Sequence, residues 1–261
     1  MQTLMMILAS IGLYGTAAGV QACGMRSQTI KSRHWVLFLG FLAIVLHATL
    51  LHGWIDVDMG QNLTRFNILS LVAWMVSLLA LVMGLTKPIE NIVLFVFPLA
   101  AMSIILGIIM PGEHVLQTGA NIRQLFHILL SVSAFSVLSL AGLQAVLLAM
   151  QERRLRIKHT LGVWRAIPPI QTMEEMMFQI IAFGFFLLTV LIVSSFYFYH
   201  SLLWVVMLNK TILAMSAWVI FAALLLARFF LGWRGKKTIY GTLGGQFLLL
   251  CILMFQYFRV V

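Results

Sequence analysis

Four histidines fall where the chain is otherwise apolar. His47 and His52 sit in "LHATLLH", His127 in "RQLFHILLSVSAF", and His200 in "SSFYFYHSLLW". An imidazole in hydrocarbon is costly unless it is neutral and hydrogen-bonded or bound to a metal, so each marks either a polar network or a ligand site. The other three histidines need no such account. His34 and His159 lie among basic residues between apolar runs, and His114 follows a Pro-Gly turn.

Depth and facing narrow the set to a pair. His47 lies seven residues before Trp54 and His127 four residues after Arg123. By helix rise these are about 10 Å and about 6 Å from the ends of their runs. At 100° per residue, Gly40 and Ala43 share the face of His47, whereas His52 points elsewhere. Ser131, Ala134, Ala141 and Ala145 share the face of His127. Small residues let membrane helices approach closely, so both faces are expected to turn into the bundle. Two inward imidazoles at similar depth on separate helices have the disposition that ligates a b-type haem. A histidine near a helix end that only bonds a carbonyl or a serine is the competing reading, and the sequence leaves both open. Around His200, Tyr197, Tyr199 and Trp204 read first as an interfacial aromatic belt.

The elements carrying these residues are apolar helices. With 62% hydrophobic and 9% charged residues over 261 positions, the chain cannot clothe a water-soluble core. It reads as an all-α polytopic membrane protein with about eight spans, approximately 3–22, 35–54, 66–86, 90–110, 123–150, 175–199, 208–231 and 239–258. The runs are continuously apolar, which excludes a β-barrel of alternating strands. The first run lacks a basic beginning and reads as a span rather than a cleavable signal. The whole chain, 1–261, is expected to form one integral membrane domain.

The net charge of +10 does not indicate a nucleic-acid partner, because the basic residues sit in the joints between spans. Twelve of them, from Arg26 to Lys237, fall on one side, and Arg65, Arg123 and Lys210 on the other. The positive-inside rule then places both termini outside and the 151–175 joint in the cytoplasm. Within that joint, Thr172 and Glu175 have capping-box spacing and are expected to start the sixth helix after Pro168-Pro169.

Enzyme chemistry finds little footing. Cys23 and Cys251 belong to no CxxC motif, and there is no Ser/His/Asp set, carboxylate pair or phosphate-binding glycine loop. Of the acidic residues only Glu90 is read as lying at a span edge. Two sequons, at Asn62 and Asn209, lie close to spans in short joints of the kind found in bacterial inner membrane proteins.

Several stretches occur together in a family-like order: "LHATLLH", "GQNLTRFNILSLVAW", "IMPGEH", "RQLFHILLSVSAFS", "IPPIQTMEEMMF", "FYFYH" and "ARFFLGWRGKK". On these the chain resembles the YpjD-like inner membrane proteins of the cytochrome c assembly superfamily, which also contains the CcsA/ResC and HemX proteins. The likeness covers nearly the whole chain, with an assembly-like core at about 60–258. It implies an eight-helix bundle that binds haem, with His127 as the histidine opening the assembly domain and His47 as its partner ligand. It also places His200 and Trp204 where a tryptophan-rich haem platform begins. Here that platform is reduced to Trp204, and the chain ends at "FQYFRVV" without the later histidine of that family. The resemblance therefore implies haem handling without full ligation of haem to apocytochrome.

Two functions remain in competition. One is a haem-binding inner membrane protein using His47 and His127 as metal ligands to haem b, with His200 and Trp204 as further cofactor contacts. The other is a cofactor-free accessory subunit of a transporter or biogenesis complex, partnered by another membrane protein. A solute permease ranks below both, since paired broken helices and acidic coupling residues are absent from the pattern.

Overall fold

In a computed structural model the described residues are 2–27, 31–58, 60–86, 90–112, 115–117, 122–156, 168–203 and 208–258. They form eight α-helices: α1 (Gln2–Ser27), α2 (Lys31–Ile55), α3 (Arg65–Thr86), α4 (Glu90–Ile109), α5 (Ile122–Arg156), α6 (Ile170–Leu203), α7 (Leu208–Leu231) and α8 (Lys236–Phe258). Among the described residues, seven helices, α1 to α7, are long and apolar enough to cross a membrane. In α8, Thr238, Gly241, Thr242, Gly244, Gly245 and Gln246 crowd into the first half and lower its apolar content. The chain is an all-α polytopic membrane protein.

The helices divide into two compact units, α1–α4 and α5–α8. Within the first, α1 packs on α2 and α4, and α3 on α2 and α4, so the four helices close a ring. The second repeats the scheme, with α5 against α6 and α8, and α7 against α6 and α8. In each unit consecutive helices are neighbours joined by short connections, as in an up-and-down bundle.

Glycine sets the closest approaches. A Cβ at Gly40 of α2 would stand 2.6 Å from the Phe97 ring of α4, and one at Gly184 of α6 would stand 2.6 Å from Leu138 of α5. Phe97 and Leu138 are fully buried, so these rings and branches occupy the space that a side chain would need.

The joints carry more structure than their polarity suggests. Asp56–Val57 (β1), Gly60–Asn62 (β2) and Val115–Gln117 (β3) form an antiparallel sheet in the order β1-β2-β3. Gln61 pairs with both Asp56 and Leu116, which ties the α2–α3 connection to the segment after α4. The Asn67 side-chain amide secures the same end, donating to Asn62 O at 2.9 Å. At the other end of α3, Arg33 of α2 donates to Gly84 O at 2.9 Å and supplies a partner for a terminal carbonyl.

The start of the sixth helix differs from the capping-box expectation. α6 begins at Ile170, and Met173 N donates to Pro169 O at 3.1 Å, so Thr172 lies inside the first turn. The prolines explain the shift. Neither has an N–H to leave unpaired, and their fixed φ favours a helix opening immediately after them. The joint expected over 151–175 also shortens, because α5 continues to Arg156.

Candidate functional site

His47 is positioned by three helices of the first unit. It is fully buried, as are Tyr14 of α1, Ser70 and Ser77 of α3, and Phe97 of α4. The Tyr14 hydroxyl stands 3.2 Å from His47 Nδ1, and Ser70 Oγ stands 2.8 Å from Nε2. A neutral imidazole has one donor and one acceptor nitrogen, and a hydroxyl can match either, so both ring nitrogens are satisfied. Ser77, two turns along α3 from Ser70, is a further hydrogen-bond partner of Tyr14. Tyr14 meets the imidazole edge-on with centroids 5.9 Å apart at 87°, and its other neighbour is the Phe97 ring at 5.2 Å. The expected inward face is present: Gly40 is buried and Ala43 is fully so.

His127 is placed differently, in the second unit. It is half-buried near the start of α5, and its Nδ1 lies 3.2 Å from Ser195 Oγ on α6. Ser195 Oγ also donates to Leu191 O at 2.7 Å, so one hydroxyl links the α6 backbone to the imidazole. One turn further along α5, Ser131 donates to the His127 carbonyl at 2.6 Å. Ala134, Ala141 and Ala145, expected on the same face, are buried. At the same end of the α5–α6 pair, the Arg123 guanidinium lies 5.6 Å from the centroid of the Phe198 ring.

His200 lies on α6, but its side chain is outside the described residues, and Trp204 is wholly outside them. Tyr197 is 82% exposed, as an interfacial ring would be. His52 is well exposed and makes an i,i+4 pair with Asp56, away from the face of His47.

An axial haem ligand needs a nitrogen lone pair and an apolar slot beside the ring for a flat macrocycle. His47 as placed offers neither, because both nitrogens are bonded to hydroxyls and Tyr14 closes one edge within a buried core. His127 is half-buried and its ring is oriented by Ser195, in the manner of outer partners that hold ligating histidines. His47 belongs to the first unit and His127 to the second, and each is engaged within its own unit. Among the described residues no group of three or more histidine, cysteine or acidic side chains gathers as a metal site.

Residues unremarked in the sequence complete the picture. Tyr14, Ser70 and Ser195 become visible only when helix neighbours are known, because a hydroxyl in an apolar run carries no signal of its partner. Glu174 corrects the reading that only Glu90 sits at a span edge. It lies just after the first turn of α6 with 4% exposure, and its carboxylate accepts from Gly235 N at 2.7 Å at the head of α8. Nearby, Arg228 of α7 covers the Phe178 ring at 4.8 Å and donates to Trp233 O at 3.1 Å. The stretches "IPPIQTMEEMMF" and "ARFFLGWRGKK" thus meet at one node.

The chain is 27% identical over 244 residues to the inner membrane protein YpjD of Escherichia coli K12, covering 93% of this chain and 92% of the relative. The same figures hold for YpjD of the O157:H7 and CFT073 strains. No solved structure matches it. With seven helices able to cross a bilayer among the described residues, it is a multi-pass inner membrane protein. Residues 35–260, from the first turns of α2 to beyond the end of α8, match the family described as cytochrome C assembly protein, and the chain belongs to that family.

Proposed function

We propose that this protein handles haem in the inner membrane, with His127 as the residue that would hold the group and Ser195 orienting its ring. The observation behind the proposal is the chain Leu191 O, Ser195 Oγ, His127 Nδ1, which holds the imidazole in one orientation. Membership of the assembly family supplies the class of cofactor. His200 and Trp204, beyond Ser195 in the chain, are proposed as further cofactor contacts. With Trp204 as the single tryptophan between His200 and α7, transfer of haem to apocytochrome is not part of the proposed activity.

The chemistry proposed for the chain's own residues is binding and orientation. His127 would hold the metal, and Ser195 holds His127. The test is the visible spectrum of protein purified from haem-replete cells. A Soret band that disappears in His127→Ala and weakens in Ser195→Ala supports the proposal, and well-folded protein without any Soret band removes it.

One observation favours the accessory-subunit reading instead: the enclosure of His47 by Tyr14 and Ser70, which withdraws one of the two expected ligands. On that reading the family fold is kept while the cofactor is not, and the protein acts by docking to another membrane protein.

A further inference from the structure

We infer that His47 is a hydrogen-bonding pin joining α1 to α3 through α2, and that it is not a ligand. The inference rests on the first unit alone. Each ring nitrogen meets one hydroxyl, Tyr14 at 3.2 Å on Nδ1 and Ser70 at 2.8 Å on Nε2, and those hydroxyls come from the helices on either side of α2. All three side chains are fully buried. In a membrane interior, helices gain little from apolar burial against one another, because lipid is as apolar as leucine. Specific polar contacts then set which helix faces meet and at what height, and an imidazole is the side chain that can bond in two directions at once from a rigid ring.

The surroundings fit a pin better than a ligand. Ser77 extends the Tyr14 end of the network along α3. Phe97 packs against Tyr14 at a tilt of 53° and occupies the space left by Gly40 on the same helix as His47. Replacing either hydroxyl by a metal would leave that hydroxyl buried without its partner and would require a slot that Tyr14 and Phe97 already fill. The consequence for the cofactor, which rests on the proposed function, is that any haem takes its axial nitrogens from outside the first unit.

The test pairs stability with spectroscopy on the full-length protein in detergent. Tyr14→Phe and Ser70→Ala are mild enough to leave folded protein, and each is expected to lower the thermal midpoint by about 2–4 °C, the effect of losing roughly one net hydrogen bond. In a His47→Gln background, which keeps part of the bonding capacity, adding either substitution is expected to lower it by much less. That non-additivity is the signature of a shared network. The Soret band per folded protein is expected to be unchanged in His47→Gln. The inference is overturned if Tyr14→Phe and Ser70→Ala leave the midpoint unchanged, or if His47→Gln removes the Soret band while the protein melts normally. If the protein carries no haem at all, the proposed function fails and the thermal cycle alone decides the role of His47.

Discussion

Ser195 Oγ lies 3.2 Å from His127 Nδ1 and 2.7 Å from Leu191 O, so a serine on α6 ties an imidazole on α5 to its own backbone. The relationship joins two helices at the end of the second unit where Arg123 also covers Phe198. It makes Ser195 a positioning residue for the proposed ligand and leads to the first prediction.

Ser195→Ala removes the hydrogen-bond partner of Nδ1 and lets the ring rotate. Loss of such an outer partner typically weakens metal binding by about 10–100-fold. Haem titration of apoprotein should show that weakening, with Ser195→Thr restoring most of it because the hydroxyl is kept. Equal affinity in wild type and Ser195→Ala would show that the serine does not orient the ligand.

Gly40→Val should destabilise the first unit. Even a methyl at that position would approach Phe97 to 2.6 Å, and overpacking a filled core costs about 1–3 kcal/mol. Phe97→Leu, which frees the ring's space, should recover part of the loss in the double variant. Additive losses, read as thermal midpoints, would mean that the two positions do not share the contact.

Glu174→Ala should loosen the head of α8 by removing the acceptor that Gly235 N uses at 2.7 Å, a buried loss of about 1–3 kcal/mol. Glu174→Gln retains an acceptor oxygen and should behave nearly as wild type. Backbone hydrogen exchange at residues 235–239 reads the difference directly. Unchanged exchange in Glu174→Ala would assign the carboxylate no part in holding that turn.

The proposed orientation places the three-stranded sheet on the outer side of the membrane and the 151–175 joint in the cytoplasm. An impermeant thiol reagent added to intact cells should label Val115→Cys and leave Thr160→Cys unmodified. Labelling of Thr160→Cys alone would invert the topology and put the charge bias on the outer side.

The sequence disclosed the helices because an apolar run of bilayer length has few alternatives, and Gly40, Ala43, Ala134 and Ala141 disclosed the inward faces because small residues mark close approach. It did not disclose what each histidine meets. Tyr14 and Ser70 are distant in the chain from His47, by 33 and 23 residues, and nothing in their own neighbourhoods refers to it. The strands were hidden for a different reason. Asp56–Val57 and Gly60–Asn62 are too short to show period-two alternation, and Val115–Gln117 pairs with Gly60–Asn62 across two helices. Glu174 was misplaced because Thr172 and Glu175 imitate a capping box, while the two prolines before them had already fixed the helix start.

The most direct measurement is the haem content per folded polypeptide, taken as a pyridine haemochrome spectrum of protein purified from haem-replete membranes, for wild type, His127→Ala and His47→Gln. The account predicts b-type haem in wild type, its loss in His127→Ala, and its retention in His47→Gln. Haem retained in His127→Ala, or absent from well-folded wild-type protein, would contradict it.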